Sequence, residues 1–194
     1  MADMYLYDKT PKIVIWLKKA GKLLLESLAV VFFAWLITRY AVEKTVMVGD
    51  SMSGTLNNGD VILINKLSYL RHAPKRNDVI VFNQGSNEHS YNNVKRVIGI
   101  PGDTVEIING WVYINGEKFE EVINTEAMRI PGLAELPMML EDNEYFVLGD
   151  NRNSSEDSRF SNIGPVVRED IIGKAFFRIS PEPALIKKIN TKDR

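Results

Sequence analysis

Residues 23–42, LLLESLAVVFFAWLITRYAV, form an almost unbroken apolar run, which decides the broad organisation of the chain before anything else is read. As a helix the run rises about 30 Å, roughly the thickness of a bilayer's hydrocarbon core. Its two charges, Glu26 and Arg39, lie towards the ends, where a charge costs less than at mid-bilayer and a long side chain can snorkel to the headgroups. Residues 28–37 are apolar on every face, unlike a surface helix, and no small-x-small pair follows at the distance a removable leader needs. A retained membrane anchor is therefore expected, with the lipid bilayer as one partner. Lys9, Lys12, Lys18, Lys19 and Lys22 precede it against Asp3 and Asp8, whereas only Arg39 and Lys44 follow closely. The positive-inside rule then predicts a cytoplasmic segment 1–22, a single-pass helix 23–42, and an extracytoplasmic domain 43–194.

Beyond the anchor the pattern changes to short runs rich in Val, Ile, Phe and Tyr. Strands are predicted at 61–65, 79–83, 94–100, 104–108, 111–114, 145–148 and 171–179. Asn109-Gly110 joins two of them and suits a type I′ hairpin turn; Asn115-Gly116 ends the second. Residues 117–143, with Pro131-Gly132 and Pro137, read as a variable excursion and 181–194 as a polar tail. The fold class expected is mostly β: an N-terminal transmembrane helix followed by a coiled-sheet β-domain.

Composition narrows the chemistry. With 24 Lys+Arg against 25 Asp+Glu the net charge is −1, so no long-range field gathers nucleic acid. The chain has no cysteine, which removes thiolate catalysis, disulfides and cysteine-based metal sites. Its two histidines, His72 and His89, stand apart in polar stretches, spaced neither for a metal nor as a triad base. No metal or organic cofactor is expected.

Ser51 and Lys95 remain as candidates for nucleophilic chemistry. Ser51 follows Val46-Met-Val-Gly-Asp50 at a strand-to-turn junction, and a serine hydroxyl needs a base within reach. Lys95 lies between Val94 and the Val97-Ile98 pair, where desolvation would favour the neutral amine that a general base must be. A third segment, Gly149-Asp-Asn-Arg-Asn-Ser-Ser-Glu-Asp-Ser-Arg159, concentrates charge and serines behind the apolar run 145–148.

Together the three segments resemble type I signal peptidase: Ser51-Met52-x-x-Thr55-Leu56 with Asn58-Gly59-Asp60, then 94–103 (VKRVIGIPGD), then 149–159. The likeness implies a Ser/Lys dyad peptidase with Ser51 as nucleophile and Lys95 as general base. By the same likeness Ser155 orients the lysine amine, and the pairs Arg96 with Asp150 and Asp157 with Arg159 hold the site. Met47, Val48, Gly49, Met52, Leu56 and Val94 match the substrate cleft, and an extended substrate would pair with strand edges near 47–49 and 92–94. The implied substrates are exported preproteins cut after small-x-small sequences at the outer membrane surface.

Two positions depart from the family pattern. Gly49 stands where some relatives place a hydroxyl for the oxyanion, leaving backbone amides, the Ser51 N–H first among them, or water as donors. Gly54 stands where the family usually has proline, which would stiffen the turn after the nucleophile. An inactive, membrane-tethered peptide-binding relative is the alternative that this second departure suggests. A self-cleaving repressor with the same dyad would carry an N-terminal DNA-binding helix pair where this chain carries its apolar run.

Overall fold

In the computed structural model of the protein, residues 11–83 and 92–186 are described. His89, Lys9, Asp3, Asp8 and the last eight residues of the expected tail lie outside them. The chain divides into two compact units, Met1–Tyr40 and Ala41–Arg194.

Among the described residues the first unit is one helix, α1 (Lys12–Tyr40), and it is the one helix there long and apolar enough to cross a membrane. It starts eleven residues before the predicted span, because the stretch from Ile13 to Leu17 and the lysines after it suit a helix as well as the apolar run does. Pro11 precedes the first turn, where its missing N–H costs nothing, and its carbonyl accepts the Val14 N–H at 2.8 Å. Ser27 and Thr38 turn their hydroxyls back onto the carbonyls of Leu23 and Ala34, so neither presents a free polar group sideways. Glu26 pairs with Lys22 one turn earlier at 3.8 Å. The helix stops at Tyr40, and Val42, assigned above to the span, instead opens a strand: the Lys66 N–H captures the Ala41 carbonyl at 2.9 Å, which commits the chain to sheet pairing.

The second unit is built from antiparallel strands. In chain order they are β1 (Val42–Val46), β2 (Val61–Asn65), β3 (Val79–Phe82), β4 (Asn93–Gly99), β5 (Thr104–Ile108), β6 (Trp111–Ile114), β7 (Glu117–Lys118), β8 (Met138–Met139), β9 (Glu144–Leu148), β10 (Val166–Val167), β11 (Ile171–Ser180) and β12 (Ala184–Leu185). The larger sheet runs β1-β2-β11-β3-β4-β9-β10 with β12 added to β11; the smaller runs β7-β6-β5-β8. All seven predicted strands are present. The 117–143 excursion is more than a surface loop, since it supplies β7, β8 and the buried Met128, Ala134 and Leu140 to the core between β5, β6 and β9. The expected polar tail needs correcting too: Ala184 and Leu185 pair with β11, and Ile186 is buried against β2 and β3.

What positions the site is the connection between β1 and β2. Its ends are tied by Met47 N–H to Asp60 O at 2.8 Å and Gly59 N–H to Met47 O at 2.9 Å. Between them Met52 and Leu56 drop into a cluster with Ile62, Ile64, Val79, Val81 and Val94. Burying those two side chains pins the connection over the sheet from β2 to β4 and carries Ser51 towards Lys95. On the far side of β4, pairing with β9 runs from Gly99↔Phe146 to Arg96↔Leu148. Continuing that register sets Lys95 opposite Gly149, where the charged loop begins.

Candidate active site

Ser51 sits in a tight turn, with Ser53 N–H donating to Asp50 O at 3.0 Å and Leu56 N–H to Met52 O at 2.8 Å. Lys95 is 5% exposed, and its Nζ donates to Ser51 Oγ at 2.7 Å. Burial pushes the Lys95 amine below the ordinary lysine range, against the opposing pull of Asp157, Glu156 and Asp150. A lysine so placed can shed its proton more readily than one in water and take one from the hydroxyl beside it.

Gly149 lets the two loops meet. A Cβ there would lie 2.2 Å from Ser155 Oγ and 2.5 Å from the Ser51 carbonyl oxygen, so any side chain would force the nucleophile's turn and the charged loop apart. Asn151 fastens them from the other side, its N–H donating to Ser51 O at 3.0 Å and its Nδ2 to Asp50 O at 3.1 Å.

Around this junction charges are buried in matched pairs. Arg96 holds Asp150 through Nε at 2.8 Å and a second nitrogen at 2.6 Å, with side chains 4% and 2% exposed. The remaining guanidinium donors of Arg96 reach Asn77 O at 3.0 Å and Thr55 Oγ1 at 3.4 Å. Arg159 holds Asp157 at 2.7 and 2.9 Å, and the same carboxylate accepts the Gly149 N–H at 3.1 Å. Arg159 also donates to Arg152 O at 2.6 Å and Ile130 O at 3.2 Å. Each buried charge thus has an opposite partner and further hydrogen bonds, the condition under which burial is tolerated.

The expected site residues do not all fall where the sequence suggested. Ser155 reaches the junction, but its hydroxyl donates to Glu156 O at 3.3 Å, and the Lys95 amine bonds to Ser51 instead. Of the six cleft residues only Val48 and Gly49 are exposed; Met47, Met52, Leu56 and Val94 are core residues at 3% exposure or less. The reason is the same pinning that delivers Ser51: the side chains that hold the turn down are spent on the core. Gly54 has φ +98°, which proline, locked near −65°, cannot adopt.

The family model described as signal peptidase, peptidase S26, matches residues 20–180. The chain belongs to the signal peptidase family. Among similar family members, signal peptidase I S of Bacillus subtilis (strain 168) is 37% identical over 159 residues, 78% of this chain and 84% of that one. A probable signal peptidase I-2 of Synechocystis sp. is 36% identical over 152 residues, covering 76% and 67%. Signal peptidase IB of Staphylococcus aureus (strain N315) is 32% identical over 171 residues, covering 80% and 87%. A crystal structure of a signal peptidase I from Enterococcus faecalis V583, 30% identical, covers 53% of this chain and 97% of that one with a TM-score of 0.40.

Two features of this signal peptidase site escaped the sequence. Arg152 is 1% exposed at its side chain and forms a two-pronged pair with Glu121, while its Nε donates to Gly149 O at 3.0 Å. Nothing in the excursion marks Glu121 as a partner for a residue 31 positions away. Asn151, the clamp on Ser51, lay within the charged segment, but its role comes from main-chain contacts that no side-chain pattern announces.

Proposed function

We propose that Ser51 is the nucleophile and Lys95 the general base with which this serine peptidase removes signal peptides from exported preproteins. The observation that carries the assignment is the 2.7 Å approach of Lys95 Nζ to Ser51 Oγ with the lysine buried. Neutral Lys95 takes the hydroxyl proton as Ser51 Oγ attacks the scissile carbonyl. The Ser51 N–H, with no acceptor of its own among the described residues, donates to the oxyanion. Collapse breaks the C–N bond, and Lys95 passes the proton to the leaving amine. Lys95 then deprotonates a water that cleaves the Ser51 ester, and the proton returns to Oγ.

The charged pairs Arg96–Asp150 and Asp157–Arg159, with Ser155, act by holding β4 and the 149–159 loop in register around the dyad. An extended preprotein would lie between two free strand edges: β1 is the last strand of its sheet, and β4 lacks a β9 partner from Asn93 to Lys95. Exposed Val48 and side-chain-free Gly49 line the first of these edges, which suits small residues before the cut. With α1 in the bilayer and its lysine-rich start in the cytoplasm, the domain from Ala41 onwards would meet its substrates at the outer membrane surface.

The test is cleavage of an Ala-x-Ala preprotein by detergent-solubilised full-length enzyme, read by N-terminal sequencing of the product. Wild type cuts after the second alanine, and Ser51→Ala and Lys95→Ala each lose about 10⁴-fold or more in kcat/KM. Because protonated Lys95 cannot act as base, activity rises with pH through the lowered lysine pKa, and the acid limb lies below the ordinary lysine value. Undiminished cleavage by either variant would sink the dyad.

A further inference from the structure

A cavity of about 320 Å³ opens between the nucleophile's turn at Ser53-Gly54, the excursion at 124–126 and the first residues of the charged loop, 150–152. It adjoins the dyad through Asn151, the residue whose N–H and Nδ2 hold the Ser51 and Asp50 carbonyls at 3.0 and 3.1 Å. Two of the three charged residues in its wall are matched: Asp150 by Arg96 and Arg152 by Glu121, each through two hydrogen bonds. The third, Glu126, is exposed, and no cation pairs with it among the described residues. Asn153 of the charged loop fixes where that carboxylate stands. Its Nδ2 donates to Glu126 Oε2 at 3.4 Å and to Ala127 O at 3.1 Å, and its Oδ1 accepts the Arg129 N–H at 3.0 Å. The cavity is therefore polar and carries one uncompensated negative charge at its rim.

The course of a bound preprotein brings its mature part here. The signal side lies along Val48-Gly49 and the free edge of β4, which runs from Lys95 back to Asn93. Beyond Lys95 in the other direction that edge is closed by β9, and the chain leaves β9 through Gly149 into 150–152. Residues after the scissile bond thus have no strand edge to follow and turn out past Asn151, over the cavity. No residue of the two signal-side edges lines it. An extended chain advances about 3.3 Å per residue, so the side chain to reach the cavity is that of the second or third mature residue.

We infer that this cavity is the subsite for the second or third residue of the mature chain, and that Glu126 makes it favour a cationic side chain there over an acidic one. The inference rests on the dyad assignment above. An exposed ion pair of this kind is worth about 2- to 5-fold at low salt and fades as salt screens it.

The experiment uses full-length enzyme in detergent and preproteins with one Ala-x-Ala site that carry Lys, Glu, Gln or Ala at the second or the third residue after the cut. At one of these positions wild type prefers Lys over Glu by about 2- to 5-fold in kcat/KM at low ionic strength, and the preference shrinks at high salt. E126Q loses the preference and E126K reverses it, whereas a merely structural role for Glu126 would slow both substrates equally. Filling the cavity gives a readout independent of charge: Thr125→Trp, in the excursion and away from the nucleophile's turn, lowers cleavage of the Gln substrate relative to the Ala substrate by about 10-fold at that same position. Equal kcat/KM for Lys and Glu at both positions in wild type, or a preference that E126Q leaves unchanged, overturns the inference, as does a Thr125→Trp variant that slows Gln and Ala substrates alike. S51A run alongside reads the dyad separately: residual cleavage there overturns that assignment, whereas a silent S51A with no preference traced to Glu126 overturns only the subsite.

Discussion

The smaller sheet and the active site are held together by opposite means. β5 and β6 are neighbours in sequence and pair directly from Val105↔Ile114 to Ile108↔Trp111. Their turn needs only Asn109 and Gly110, at φ +51° and +83°. The site instead joins Ser51 to Lys95 across 44 positions and Arg96 to Asp150 across 54. Little loop entropy is lost in closing the hairpin, whereas the site must order long connections and desolvate several charges. Local turn chemistry suffices for the first, and the second stands only because each buried arginine of the site is matched by a carboxylate.

The largest effect on stability should come from unmatching one of them. Asp150→Ala leaves Arg96, 3% exposed, without its carboxylate and should cost about 3–5 kcal/mol, with activity falling as β4 loses its hold on the 149–159 loop. Thermal unfolding in detergent, followed by circular dichroism, reads the loss. The comparison sharpens with the double variant Arg96→Met/Asp150→Leu, which should recover most of the stability but not the activity. If the single variant loses less than about 1 kcal/mol, the pair lies outside the structural core of the site.

A break in the smaller sheet should look different. In Gly110→Ala the new Cβ would stand 2.8 Å from Met128 O and 2.9 Å from Met128 N, main-chain atoms that cannot swing away, at a φ that L side chains avoid. The expected cost is about 2–3 kcal/mol. Below the unfolding transition kcat/KM should fall less than about 2-fold, because the clash at Met128 reaches the charged loop only through the rim, where Asn153 accepts the Arg129 N–H at 3.0 Å and donates to Ala127 O at 3.1 Å. A matching fall in kcat/KM would show that the hairpin and the site are coupled.

The same contrast explains what could be read in advance. Short runs rich in Val, Ile and aromatic residues between turn signals located all seven predicted strands, and Asn109-Gly110 located the hairpin, because those preferences act within a few residues. β1 was missed because Glu43-Lys44-Thr45 carries charge rather than alternation; the strand exists because β2 pairs with it. In the site, motif resemblance brought forward Ser51, Lys95 and the two arginine–aspartate pairs, all of which meet. It could not assign Met52 and Leu56 to the core, because whether an apolar side chain faces a cleft or the interior depends on how the β1–β2 connection lies over the sheet. Glu121 was illegible for the same reason: its partner, Arg152, is fixed by tertiary folding alone.

The smallest predicted change tests whether catalysis and stability conflict at one residue. Lys95 has a folded pKa below its ordinary value, mainly through desolvation, so the unfolded chain binds more protons between the two values. Wild-type stability should therefore fall as pH drops from the ordinary lysine pKa towards the lowered one, and stay level with respect to this group below it. Lys95→Met keeps the length of the side chain and removes the charge, while Ser51, half-buried at the rim, can hydrogen-bond to water. The variant should unfold about 0.5–2 kcal/mol later than wild type at neutral pH, lose that part of the pH slope, and cleave nothing. Denaturation at several pH values decides it. A Lys95→Met protein less stable than wild type would mean that the buried amine contributes more through Ser51 and the surrounding carboxylates than it costs by leaving water, placing this site with the matched charges rather than at odds with the fold.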